Sequence, residues 1–290
     1  KPQTPNPKPQ TPNPKPQTSI ERYIMKTPSG YLILVSLLAV LPLHCQGKLA
    51  PMQPLHAAAQ EYDIYVLAMS WAPGVCYLKN CNKDFPRKST NFNLHGLWPS
   101  FADPSKLSPS DCKNSPFKLS DLSKDLQEEA NKYWNGLYSA SEGFIRHEWL
   151  KHGTCWNPTR STLSKVPQDL QSLVQTSIND YKYKPAQTST NYVRMAIALA
   201  KKYNLYDTLA SVSIKPDFNK GVKKRQFEIL LETEFNVKNM GISCELDKDG
   251  YGILQEIRLC LDLNYSPVDC PKDVNACPAD IYYIPWQSGK

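Results

Sequence analysis

The sequence predicts a disulfide-stapled α+β domain. Segments with strand character and segments with helix character follow one another without the regular βαβ repeat of a parallel-sheet protein. Of nine cysteines, one lies in an apolar leader and eight follow it. An even number behind such a leader reads as a disulfide framework formed in an oxidising compartment. The stretch richest in chemistry, Phe144-Ile-Arg-His-Glu-Trp-Leu-Lys-His-Gly-Thr-Cys155, has helical spacing, and β-rich text lies on both sides of it.

The N-terminal part divides into three. Residues 1–24 repeat Lys-Pro-Gln-Thr-Pro-Asn-Pro, which is too poor in apolar residues to build a core, and they read as an upstream leader. Residues 25–47 read as a secretory signal: Met25 as the start, Lys26, an apolar run from Tyr31 to Leu43, and small Gly47 as the cleavage candidate. That run, of about 13 residues, is too short to span a bilayer, so no membrane anchor is expected. Residues 48–60, with His56, form a short leader of the mature chain, and 61–290 form the catalytic domain. The net charge is +7, and the residues before Lys48 contribute +4 of it. The remaining +3 permits a polyanionic substrate without arguing for one.

Along the domain, Glu61 to Trp71 is rich in β-formers and reads as a central strand that Trp71-Ala-Pro-Gly-Val-Cys76 breaks. Phe92 to Trp98 reads as a short strand closed by Pro99, with His95 and Leu97 on one face. Phe101 to Lys118 is Pro/Ser/Asp-rich loop. Ser120 is placed as the N-cap of a helix from Asp121 to Asn131. Helical spacing recurs over Val166 to Tyr181, over Asn191 to Tyr203 and around Phe227, Leu230, Leu231 and Phe235. Gly252 to Leu263 and Ile281 to Trp286 read as strands. Asn264-Tyr-Ser266 is a complete glycosylation sequon, whereas Asn157-Pro-Thr is blocked by its proline.

In the central stretch His147, Glu148, Lys151 and His152 fall within an arc of roughly 140° on a helix of about 100° per residue. Gly153 suits the helix stop. One face thus carries two imidazoles, a carboxylate and an ammonium, which neither a core helix nor an ordinary surface helix would gather. A second stretch, Asn93-Leu-His-Gly-Leu-Trp-Pro99, adds His95 beside Trp98.

Together the two stretches, His-Gly-Leu-Trp-Pro and His-Glu-Trp-x-Lys-His-Gly-Thr-Cys, resemble the signature motifs of the ribonuclease T2 family, and the similarity runs from about Tyr62 to Trp286. The resemblance implies an antiparallel central sheet flanked by helices. Eight cysteines allow about 105 pairings from sequence alone; the resemblance implies Cys76–Cys81, Cys112–Cys155, Cys244–Cys277 and Cys260–Cys270. It also implies roles: His152 as general base, His95 as general acid, His147 for phosphate binding, and Glu148 and Lys151 to polarise the phosphate and stabilise the transition state. Trp98 and Phe144 match family positions that contact a nucleobase.

These residue types suit the chemistry. Cutting RNA needs a base for the 2′-OH proton, an acid for the 5′-oxygen, and cations for the charge of the phosphorane. Imidazole serves both proton transfers because it titrates near working pH. A metal centre is the rival reading. However, His147 and His152 are one residue too far apart for the paired imidazoles of a zincin helix, and Lys151 between them repels a cation. No metal or other cofactor is expected.

The expectation is therefore a monomeric, metal-independent endoribonuclease acting on single-stranded RNA and not on DNA. It would form 2′,3′-cyclic phosphates and then 3′-phosphates, in a secreted, lysosomal or vacuolar setting. The other reading is a family member kept for storage or signalling, whose mark would be a lost catalytic histidine. Three features depart from the family: Ser70 where many plant members have Gln, Ile145 where Trp is frequent, and Trp134-Asn-Gly-Leu137 without the usual proline. All three fall near the second base site of relatives, so base preference does not carry over.

Overall fold

The computed structural model describes residues 61–86, 91–271 and 277–287. The expected leader, signal and 48–60 segment lie outside them.

A mixed sheet forms the spine. Its strands are β1 (Ile64–Ser70), β2 (Asn93–Ser100), β3 (Val222–Lys223), β4 (Gly241–Leu246), β5 (Gly252–Leu261), β6 (Pro267–Val268) and β7 (Asp280–Tyr282). The order is β2-β1-β5-β7-β3, with β4 and β6 also pairing with β5. Every pairing is antiparallel except the short one of β5 with β7, which is parallel, so the central sheet is antiparallel as expected. β5 is mostly apolar, with Gln255, Glu256 and Arg258 as its polar positions, and is buried except at Gln255 and Arg258, as befits a strand with several neighbours.

The helices are α1 (Ala72–Leu78), α2 (Lys124–Tyr133), α3 (Ser141–Lys151), α4 (Gln168–Tyr183), α5 (Thr188–Lys202), α6 (Leu205–Ser211) and α7 (Lys224–Phe235). α5 packs on β1 and β2 and is the most buried, with Tyr192, Val193, Met195, Ala196 and Leu199 fully enclosed. The Tyr192 hydroxyl donates to the Leu97 carbonyl at 2.9 Å, tying α5 to β2.

Several boundaries differ from expectation for local reasons. α2 is capped by Ser123, whose hydroxyl accepts from the Leu126 N–H, and Ser120 sits in a preceding 3-10 turn. α4 starts after Pro167, because a proline disfavours helical backbone at the residue before it, Val166. Trp71-Ala-Pro-Gly does end β1, but Pro73 then sits in the first turn of α1, where its missing N–H costs nothing. Pro99 lies inside β2 rather than closing it, which an edge strand tolerates. The predicted strand over Ile281 to Trp286 keeps only Asp280–Tyr282. Beyond it the chain leaves the ladder, and the Ile284 carbonyl accepts from the Trp71 indole at 2.7 Å.

Four disulfides close: Cys76–Cys81, Cys112–Cys155, Cys244–Cys277 and Cys260–Cys270, the pairs that the resemblance implies. No described helix is long and apolar enough to cross a membrane.

Candidate active site

Two elements bring the chemistry together: β2, at the edge of the sheet, and the C-terminal end of α3. The decisive local feature is a β-bulge. Ala68 pairs with Gly96 and Met69 with Leu94, so His95 is the extra residue on β2. A bulge re-aims the side chain it carries. It breaks the alternation that would have put His95 with Leu97: Leu97 is fully buried, whereas His95 is half-buried beside Trp98, with ring centroids 5.0 Å apart. The indole of Trp134 donates to the His95 carbonyl at 2.9 Å and holds the bulge.

α3 contributes Phe144, His147, Glu148 and Lys151. The helix sits at the boundary of the core: Ile145 and Trp149 are buried, Glu148 is only 2 % exposed, and His147 and Lys151 are exposed. His152 caps the helix with φ −117°, so its direction is not set by helical periodicity alone. Gly153 has no positive φ. It opens a 3-10 turn, and a Cβ there would run into the rings of Trp149 and Tyr192. Close packing, rather than a left-handed helix stop, is what requires glycine at 153.

Trp98 lies between the two imidazoles. Its ring is 5.2 Å from that of His152, and the Arg258 guanidinium lies 5.5 Å from its centroid. Its indole N–H donates to Glu148 Oε2 at 2.7 Å, while Glu148 Oε1 is 3.7 Å from His95 Nε2. Phe144 leans on His95 at 5.6 Å. Thus His95, Trp98, Phe144, Glu148 and His152 form one cluster. His147 and Lys151 flank it, and their charges act on Glu148 and His152.

Gly96 explains the glycine of the first motif. A Cβ there would collide with both Trp98 Nε1 and Glu148 Oε2, the two atoms of that hydrogen bond. Gly96→Ala is expected to lower turnover on polymeric RNA by about 10²-fold through displaced groups, with the fold retained. Steady-state kinetics beside a melting curve measures this, and undiminished turnover would contradict it.

The two imidazoles are driven in opposite directions. Burial pulls the pKa of His95 down, but the Glu256 hydrogen bond and the charges of Glu256 and Glu148 outweigh it, so the net shift is upward. His152 is lowered to about 4, first by burial and then by Lys151, His95 and His147. Its Nδ1 is buried without a hydrogen-bond partner among the described residues, which leaves Nε2 as the nitrogen for chemistry. Burial also pushes the Glu148 carboxyl up.

A cavity of about 350 Å³ opens beside His95, lined by Ser70, Leu137, Tyr138, Phe144, Glu256 and Arg258 among others. Of the three departures noted in the sequence, Ser70 and Leu137 line this cavity, whereas Ile145 is in the core. Sequence reasoning missed Glu256 and Arg258. Their signal was present: two charges two residues apart on one face of a mostly apolar strand.

Residues 62–270 match the sequence model of the Ribonuclease T2 family. The chain belongs to the ribonuclease T2 family. It is 30 % identical over 219 residues to Ribonuclease Oy of Magallana gigas, covering 73 % of this chain and 89 % of that protein. Among solved structures, RNase NT in complex with 5′-AMP superposes with a TM-score of 0.60 at 23 % identity, covering 78 % of this chain and all of the other. Human RNase T2 gives 0.56 at 22 % identity, over 77 % and 99 %. These structural likenesses speak for the fold. Membership of the ribonuclease T2 family makes the chain an RNA endonuclease in kind, and both motifs lie within the matched span.

Proposed function

We propose that this ribonuclease T2 family member cuts single-stranded RNA by transphosphorylation, without a metal. The observation that carries the reading is that two imidazoles flank one indole and favour opposite protonation states. His152, held neutral, takes the proton of the substrate's 2′-OH. The 2′-oxygen then attacks phosphorus. His95, held protonated, delivers its Nε2 proton to the departing 5′-oxygen. The products are a 2′,3′-cyclic phosphate and a free 5′-hydroxyl, and water opens the cycle to a 3′-phosphate. His147 binds the phosphate. Lys151 and Glu148 act on its non-bridging oxygens, Lys151 as the cation and Glu148 as a carboxyl that burial inclines towards protonation. Trp98 and Phe144 border the space for the bases, and Trp98 also positions Glu148. The enzyme works as a monomer in a secreted, lysosomal or vacuolar setting, which four disulfides support, with Asn264 as a glycan site.

The test uses one RNA and one DNA oligonucleotide of equal sequence, each with and without EDTA. Cleavage of the RNA alone, persisting in EDTA and leaving cyclic ends, is expected, because the nucleophile is a group that DNA lacks. DNA cleavage at a similar rate would remove the 2′-OH from the mechanism, and loss of activity in EDTA would make the site a metal centre.

A pH profile follows from the two imidazoles. His152 must be neutral, so kcat/KM climbs as pH rises through about 4. His95 must be protonated, so the rate falls only above its own raised value, beyond the ordinary 6.5. A bell with its acid limb near pH 4 is therefore expected in kcat/KM, which reports the free enzyme. An acid limb above pH 6 would contradict the environment assigned to His152.

A further inference from the structure

We infer that Glu256, which lies 161 residues from His95 in sequence, is the positioning residue that orients His95 and sets the pH at which it can act. The inference rests on the proposed role of His95 as the acid. The geometry is a carboxylate–imidazole pair at the cavity wall. Glu256 Oε2 accepts from His95 Nδ1 at 2.6 Å, and this turns Nε2 towards Glu148 Oε1 and the place of the phosphate.

The carboxylate is itself held by two further groups. Arg258 Nε donates to its Oε1 at 2.6 Å, the Ser70 hydroxyl donates to its Oε2 at 3.3 Å, and only 7 % of the residue is exposed. The backbone fixes the spacing: β1 is the strand between β2 and β5, and Ser70 is paired with Glu256. A charge buried at this depth is costly unless paired. Here the cost is met by Arg258 and His95 together, and the carboxyl is held below its ordinary range despite burial. The other charged groups facing His95 are Glu148 from α3 and Arg258 from β5, with opposite effects, and the titratable neighbour at the end of α3 is His152, whose own pKa His95 helps to lower. Glu148 lies at 3.7 Å and is itself pushed up by burial, so Glu256 is the stronger anchor for a charged ring.

Losing the carboxylate should do two things. The ring loses its orientation, and the charged form of His95 loses its partner, so His95 stays protonated over a narrower range of pH. Rate at acid pH survives better than rate at neutral pH. A merely structural role would lower the rate equally at every pH.

The experiment compares wild type, Glu256→Gln and Glu256→Asp by NMR titration of the His95 ring and by the pH profile of kcat/KM on a dinucleoside phosphate. In Glu256→Gln the His95 midpoint and the alkaline limb are expected to fall together by about one pH unit. At pH 7 kcat/KM should drop several-fold, up to about 10-fold, and near pH 5 by less than about 3-fold. Glu256→Asp should recover part of the midpoint, and it carries the test should the Gln variant not fold. A His95 midpoint unchanged in the folded variants overturns the inference. The NMR titration needs no turnover. A wild type that leaves RNA uncut would therefore sink the proposed function while the hold of Glu256 on the ring is still measured.

Discussion

Replacing His152 with alanine should reduce kcat/KM on polymeric RNA by about 10²–10⁴-fold, and replacing His95 should do the same, since each removes one general acid–base contribution. The two losses should fall far short of adding in the double variant, because in the proposed mechanism both groups serve the same transphosphorylation. The limbs of the pH profile identify which group is which. His152→Ala should abolish the acid limb near pH 4, and His95→Ala the alkaline limb. Neither change should unfold the protein, since both side chains are only half-buried and the core of Trp134, Trp149, Tyr192 and Leu97 is untouched. Near-normal turnover in His152→Ala would refute the base assignment, and a swap of the two limbs would reverse the roles.

Removing the Cys112–Cys155 bridge should cost about 4 kcal/mol of stability, the value expected for a loop of this size between the roughly 3 and 4.7 kcal/mol of shorter and longer loops. The bridge spans 43 residues. Its local surroundings give it a second effect. The Asp111 N–H donates to the Lys151 carbonyl at 2.8 Å, and the Cys112 N–H donates to Thr154 Oγ1 at 3.1 Å, so the segment before the bridge is stitched to the end of α3. His152 lies between those two anchor points, and Asp111 is the anion that partly offsets the cations around it. A paired Cys112→Ser and Cys155→Ser variant should therefore show both a lower urea midpoint and a lower kcat. A stability loss below about 1 kcal/mol would mean that the bridge adds little to a loop already held by its hydrogen bonds.

Much of this was legible in the residues alone. The paired motifs named His95, Glu148 and His152, and the structure gathers all three around Trp98. The helical stripe of Tyr192, Met195, Ala196 and Leu199 became the helix that packs on the sheet. Less legible were the ends of elements. There the competition between neighbouring caps, Ser120 against Ser123, or the reach of a proline, Pro167, decides by a fraction of the energy that packing supplies.

The sequence by itself determined the kinds of groups at the site, the number of half-cystines and the apolar faces, because residue type and local period are properties of a short stretch of chain. Only the tertiary structure decided where His95 points, which carboxylate holds it and which imidazole has its pKa lowered. The bulge at His95 is a matter of register between β2 and β1. The partner Glu256 arrives through β5, which β1 separates from β2 in the sheet. The opposed pKa shifts of His95 and His152 follow from burial and from charges on different elements. Such quantities depend on distances between residues far apart in the chain, and no periodicity within one segment encodes them.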